Sequence, residues 1–273
     1  MKKLLFRIAA GLLAAVCLLL MALPARAAGP KEESFHVLLL GLDQAQGSAP
    51  SRADAVILCS VGKDSLTLTS FLRDMLVEIP GHGSHKLNAA YPLGGGELMK
   101  QTLEESFGIR VDAVAEIDFR GFQKAVDALG GVDVAITREE AAYLDSATPG
   151  RNRLNGASAL EYVRLRKLGT DFARAARQRT LLQSMLQEIQ SAGPGRLLGL
   201  LEEVLPWVQT DLAKSEILRR GIRWYPALRS LEMRQQQIPG EGTYRFGDAP
   251  GVRDCILVDL ETNRALLKRA LPG

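Results

Sequence analysis

The chain has 273 residues, 47% of them apolar and 24% charged, which is material for one large folded core and excludes a disordered chain. A net charge of +3 is too small for a protein that grips nucleic acid mainly through the phosphate backbone. The three histidines are scattered and no CxxC or HExxH motif occurs, so a zinc enzyme is excluded as well.

At the start, Lys2, Lys3 and Arg7 precede an apolar run from Ile8 to Leu23, followed by the small-residue stretch Ala25-Arg26-Ala27-Ala28. This is the layout of an export segment. The run holds 16 residues, short of the ~20 a spanning helix needs, so residues 1–28 read as a signal peptide or an N-terminal membrane anchor. Both readings put residues 34–273 outside the cytoplasm, as a single domain with no linker long enough to divide it.

The segment Phe35 to Leu42 is continuously apolar and predicts a strand buried on both faces. Ala55 to Val61 and Ser65 to Leu72, separated by Gly62-Lys63-Asp64, predict a hairpin. Helical patterns over Gly96 to Phe107 and Phe119 to Leu129 alternate with extended ones over Val111 to Ile117 and Val132 to Ile136. Further helices are expected at Asn155 to Arg164, Asp171 to Gln190, Arg196 to Leu205, Asp211 to Ile222 and Glu261 to Leu271, with strands at Leu231 to Ile238 and Cys255 to Val258. Such alternation predicts an α/β layered domain. Cys59 and Cys255 fall in strand-like segments; one disulfide between them is open, and the preferred reading is two small buried residues.

Antiparallel pairing of the hairpin brings Asp54 and Arg73 to one sheet edge. If the first strand runs parallel to the Ser65 strand, its exit residue Asp43 joins them, with Arg52 alongside. Ligands of open α/β sheets bind at such an edge. Two neighbouring carboxylates need a cation or guanidinium groups between them, and the all-oxygen pair Asp43 and Asp54 suits Mg²⁺ or Mn²⁺.

The strongest charge bias is Arg151 to Arg179, with seven Arg and one Lys against Glu161 and Asp171. Arginine's planar fork suits phosphate oxygens. On a wheel for Asp171 to Gln190, the apolar stripe is Ala175, Leu182, Met185, Leu186 and Ile189, with Arg174 and Gln178 at its edge and Arg177 pointing away. Arg174 and Gln178 therefore predict a partly buried anion site, while Arg177 is expected to be solvated.

Seven ordered motifs, LLLGLD (Leu38 to Asp43), SRADA (Ser51 to Ala55), FLRD (Phe71 to Asp74), HKLNAAYPLGG (His85 to Gly95), VDALGGVDV (Val126 to Val134), LNGASALEYVRLRK (Leu154 to Lys167) and DFARAARQR (Asp171 to Arg179), resemble those of the LytR-CpsA-Psr family. The resemblance implies a three-layer αβα domain with a central mixed β-sheet, its motif core at 37–190 and C-terminal helices and strands at 196–273. It also implies a place at the outer face of the cytoplasmic membrane. The implied activity transfers a phosphoglycosyl polymer, such as teichoic acid, from a polyprenyl-pyrophosphate carrier to peptidoglycan. The lipid would lie in an apolar tunnel between sheet and helices.

Matched position by position, Asp43 and Asp54 correspond to the residues associated with Mg²⁺. Arg52, Arg73, Arg164, Arg166, Arg174 and Gln178 correspond to the pyrophosphate-binding set, and Lys86 lies in a matching segment. Asp43, Asp54 and Arg73 are the expected catalytic residues, with Asp43 either the base for the acceptor hydroxyl or a metal ligand. Ala53 stands where the family usually has Ser, and Phe71-Leu72 where Ile-Pro is common. The competing expectation is a non-catalytic polyprenyl-phosphate binder that regulates or scaffolds envelope assembly.

Overall fold

A computed structural model describes residues 34–42, 52–62, 64–165, 167–213, 215, 217 and 231–272. The expected export segment, Asp43, Arg166 and most of the helix expected at Asp211 to Ile222 lie outside the described residues.

Six strands form the central sheet: β1 (Phe35–Leu42), β2 (Ala53–Val61), β3 (Ser65–Phe71), β6 (Ala113–Ile117), β9 (Val208–Thr210) and β10 (Glu232–Ile238). Their order is β10-β3-β2-β1-β6-β9. β2 is antiparallel to both β1 and β3, so β1 and β3 run parallel, as the edge argument required. β6 is parallel to β1 and β10 parallel to β3, while β9 is antiparallel to β6. The sheet is therefore mixed, and β1, β3, β6 and β10 all end at one edge.

Both faces of the sheet are covered, which is why β1 reads as an unbroken apolar run. Alternating side chains of its strands go to separate cores. On one face Val37, Leu39, Ile57 and Leu68 pack with Phe122, Leu182 and Met185. These partners come from α2 (Phe119–Ala128) and α5 (Asp171–Ser191), beside α4 (Gly156–Val163) and α6 (Pro194–Val204). On the other face Leu38, Leu40, Leu58 and Phe71 meet Met99, Leu103 and Leu267. Those belong to α1 (Ala90–Phe107) and α7 (Leu260–Ala270). This is the expected αβα arrangement, and fully burying each such side chain stabilises the fold by roughly 1.5–3 kcal/mol.

Local signals set the helix starts. Asp118, Asn155 and Asp259 cap α2, α4 and α7 by accepting from backbone N–H groups of the first turn. Gly108, at φ 64°, closes α1 in the left-handed conformation.

Two expectations are corrected, the start of α1 and the placing of Arg177. Val132–Ile136 is a strand (β7), as expected, and pairs outside the main sheet with β8 (Gly150–Leu154), a polar segment without apolar alternation. α1 begins at Ala90 instead of Gly96, because a kink at Gly94 and Gly95 joins two helical pieces. The hairpin of β4 (Leu76–Ile79) and β5 (Gly83–Lys86) and the pairing of β11 (Tyr244–Ala249) with β12 (Val252–Val258) were not foreseen. The correction for Arg177 is given below. Cys59 and Cys255 are buried and unpaired, as expected.

Candidate anion site at the carboxyl edge of the sheet

The sheet edge where β1 and β3 end is shaped first by a bulge. Gly41 pairs with Ala55 and Leu42 with Ala53, so Asp54 is the extra residue between them. Such an insertion kinks the strand and re-aims the side chain. Across β3's end, the backbone from Leu72 to Met75 is tied down on every side. Leu72 N donates to Ile238 O at 2.9 Å, Asn88 N to Arg73 O at 3.0 Å, Ile256 N to Asp74 O at 2.9 Å and Leu87 N to Met75 O at 2.8 Å. Arg73 therefore leaves a rigid support.

Its guanidinium is enclosed by carboxylates: Asp54 at 2.6 Å, Asp171 at 3.0 Å and Asp74 at 3.6 Å. Asp171, in the first turn of α5, also takes Arg174 at 2.8 Å. Lys86, delivered by the β4–β5 hairpin, reaches Asp74 at 3.7 Å. Ser70, Arg73, Arg174 and Gln178 line one small cleft of about 10 Å³ with Asp54 and Asp171. That is about the room one water needs.

Burial disfavours charge throughout this cluster, and the neighbours decide the outcome. Burial works against the Arg73 cation, but Asp54, Asp171 and Asp74 outweigh it and hold its pKa above the ordinary value. For Asp171, Arg174 and Arg73 outweigh burial and draw the carboxyl below its usual range. Burial pushes Asp74 up despite Arg73 and Lys86. Arg174 is lowered by burial and by the like charge of Arg73, with Asp171 opposing.

The structure thus brings Asp54, Arg73, Arg174 and Gln178 together and adds Lys86 through Asp74. Arg52 is exposed just before β2. Arg164, at the end of α4, lies over the Phe119 ring at 5.4 Å, beside the end of β6 and not in the Arg73 cleft. Asp74 and Asp171 were not foreseen as site residues, although Asp171's spacing of three from Arg174 on a helix was a usable signal.

Arg177 is a correction. It is buried, and donates to Glu140 Oε1 at 2.8 Å, Leu165 O at 2.9 Å and Leu168 O at 2.8 Å. The wheel assumed one covered face, but α5 has a second buried row, Arg177, Leu181 and Ser184, spaced at i, i+4 and i+7. Arg177 pins the segment that follows Arg164.

No group of three His, Cys, Asp or Glu among the described residues is arranged to hold a metal. Of the expected carboxylate pair, only Asp54 is described, and one of its oxygens meets Arg73.

A mixed sheet covered on both faces, with arginines and aspartates at its carboxyl edge, places this chain among α/β domains, whose ligand sites lie outside the carboxyl ends of the strands. The sequence profile of the LytR_cpsA_psr family matches residues 24–252, and the chain belongs to that family. It is 29% identical over 241 residues to "Regulatory protein MsrR" of Staphylococcus aureus (strain COL), covering 86% of this chain and 73% of that protein. It is 34% identical over 193 residues to "Polyisoprenyl-teichoic acid--peptidoglycan teichoic acid transferase TagU" of Oceanobacillus iheyensis, covering 67% of this chain and 60% of that one. The solved structure of YwtF (TagT) with bound octaprenyl pyrophosphate lipid superposes with a TM-score of 0.68 at 27% identity, covering 91% and 94% of the two chains. TagT is a Bacillus subtilis protein.

Proposed function

We propose that this protein is a transferase that moves a phosphoglycosyl polymer from a polyprenyl-pyrophosphate carrier to peptidoglycan, outside the cytoplasm. The observation that carries the reading is the convergence of Arg73, Arg174 and Gln178 with Asp54 on one rigid sheet edge. Likeness to a teichoic acid transferase and to a structure holding octaprenyl pyrophosphate supports it.

In the step, an acceptor hydroxyl oxygen bonds to the glycan-side phosphorus as the bond to the bridging oxygen breaks. Polyprenyl phosphate leaves with that electron pair, and the hydroxyl proton passes to a base, for which Asp43 is the candidate. Phosphoryl transfer depends mostly on positioning and on neutralising non-bridging oxygens. Arg73, Arg174, Arg52, Arg164 and Arg166 would supply that charge, with Gln178 orienting the phosphate and Lys86 steadying Asp74. The Asp43 and Asp54 oxygens suit a hard cation, and Mg²⁺ held there would add further neutralisation.

The test is to incubate the purified protein with a synthetic polyprenyl-pyrophosphate glycan, Mg²⁺ and peptidoglycan. Acceptor-linked product and released polyprenyl phosphate are expected. Tight lipid binding with no product would assign the chain to carrier binding instead.

A further inference from the structure

A second concavity opens at the same sheet edge, on the other side of β1's end. It has a volume of about 150 Å³ and is lined by Leu42, Glu116, Asp118, Pro206, Trp207 and Gln209, among others. That is several times the ~30 Å³ share of one water in the liquid, room for a sugar ring but not for a polymer.

Its walls are chemically mixed in a specific way. Trp207 is 38% exposed, one of four large hydrophobic side chains exposed among the described residues. Glu116 and Gln209 are direct partners across β6 and β9, so their side chains leave the same face of the sheet. Tyr91 donates to Glu116 Oε2 at 2.8 Å, which fixes that carboxylate in place. Asp118 spends one oxygen capping α2 at Gly121 N, 2.9 Å away. An exposed indole beside fixed carboxylates and an amide suits a pyranose, whose C–H face is apolar and whose rim carries hydroxyl and acetamido groups.

Glu116 and Asp118 are the charged groups of this lining, whereas Arg73 and Arg174 line the other cleft. Adjacent strands lie ~4.8 Å apart. The cleft sits at β2 and β3 and this cavity at β1 and β6, so their centres are on the order of two strand spacings apart. Leu42, in the cavity wall, immediately precedes Asp43, the candidate base.

Resting on the proposed transferase reading, the geometry points to this cavity as the subsite for the acceptor saccharide, an N-acetylated amino-sugar ring of the glycan strand stacked on Trp207. Its hydroxyl then approaches the phosphorus from the side away from the arginine cluster. Glu116 and Gln209 orient the ring.

Calorimetric titration of the purified protein with a soluble tetrasaccharide of alternating N-acetylglucosamine and N-acetylmuramic acid tests this, with a prenyl-pyrophosphoryl amino sugar titrated separately. Trp207→Ala should weaken the tetrasaccharide about tenfold, the scale of one lost aromatic contact. Gln209→Ala should also weaken it, and Trp207→Phe should largely retain it. Both alanine variants should bind the prenyl ligand as the parent does. Unchanged tetrasaccharide affinity in Trp207→Ala, or a loss confined to the prenyl ligand, would overturn the subsite. So would a parent protein that binds the lipid but no saccharide, a result that leaves the transferase reading standing. A parent that binds neither ligand contradicts that reading itself.

Discussion

Replacing Arg177 by Ala should cost the fold more than any other single change to the arginine-rich segment, and should do so without removing a ligand contact. Its guanidinium makes one ion pair with Glu140 and hydrogen bonds to two carbonyls. Both side chains of the pair are about a tenth exposed, 9% for Arg177 and 11% for Glu140. Truncation strands a carboxylate in a nearly dry site, which typically costs about 3–5 kcal/mol. For a domain of this size each kcal/mol lowers Tm by roughly 2–4 °C, so a fall of about 6–20 °C follows. Denaturant melts of the parent, Arg177→Ala, Glu140→Gln and the double variant measure it. The pair should show a coupling energy between about 0.5 and 3 kcal/mol. A single-variant loss under about 1 kcal/mol, or strict additivity, would refute the assignment of Arg177 as a buried strut.

Arg73→Ala and Arg174→Ala should abolish transfer in the peptidoglycan assay while leaving far-UV circular dichroism unchanged. Gly156→Ala should destabilise by about 1–3 kcal/mol through overpacking, because a Cβ there would sit 2.4 Å from Gln123 O where α4 crosses α2; a melt within 1 °C of the parent would contradict that crossing. For pH, Asp171's carboxyl is depressed in the fold, so its stabilisation is present above its unfolded pKa and is lost as pH falls through the folded value. Asp74 is raised and has the opposite sign, its contribution disappearing as pH climbs through its folded pKa. Asp171→Asn should therefore flatten the acid limb of the stability profile, and Asp74→Asn should raise stability at neutral pH. Chelating divalent cations should weaken binding of inorganic pyrophosphate, and added Mg²⁺ should restore it; calorimetric affinity unaffected by chelation would remove the cation from the proposal.

Much of this site could be read from the chain because its parts sit at strand ends. Apolar runs located β1, β2 and β3, and two antiparallel pairings forced β1 and β3 to be parallel, which put Asp54 and Arg73 at one edge. The bulge that turns Asp54 toward Arg73 has no local signature, since Ala53 and Ala55 both fit an ordinary strand. Lys86 depended on a hairpin with only four residues per strand, too short to show a period. Arg177 misled the wheel because its partner Glu140 lies 37 residues away, and a tertiary contact of that range leaves no mark on helical spacing. The saccharide cavity was equally hidden: Trp207 and Gln209 meet Glu116 only after β9 closes the sheet edge.

The charge count of the Arg73 cluster bears on how it can hold a diphosphate. Arg73, Arg174 and Lys86 carry three positive charges, and Asp54, Asp74 and Asp171 carry three negative ones when ionised. Three minus three leaves the connected network neutral, so as it stands it preorganises geometry without offering net attraction. An arriving pyrophosphate must compete with Asp171 for the same donors on Arg73 and Arg174, and in a poorly solvated cleft the repulsion between the two anions is substantial. Binding therefore requires positive charge beyond this network. Arg52 lies two residues before Asp54 in the chain, Arg164 stands at the end of α4 outside the cleft, Arg166 follows Arg164 closely in the chain, and a divalent cation on Asp43 and Asp54 would add two positive charges against the one negative charge of Asp43. A pyrophosphate that displaces Asp171 also frees a carboxylate at the start of α5, where the helix dipole favours keeping it ionised. On the proposed reading, the exchange of Asp171 for a phosphate on Arg73 and Arg174 is the event that loading and release of a diphosphate carrier would require.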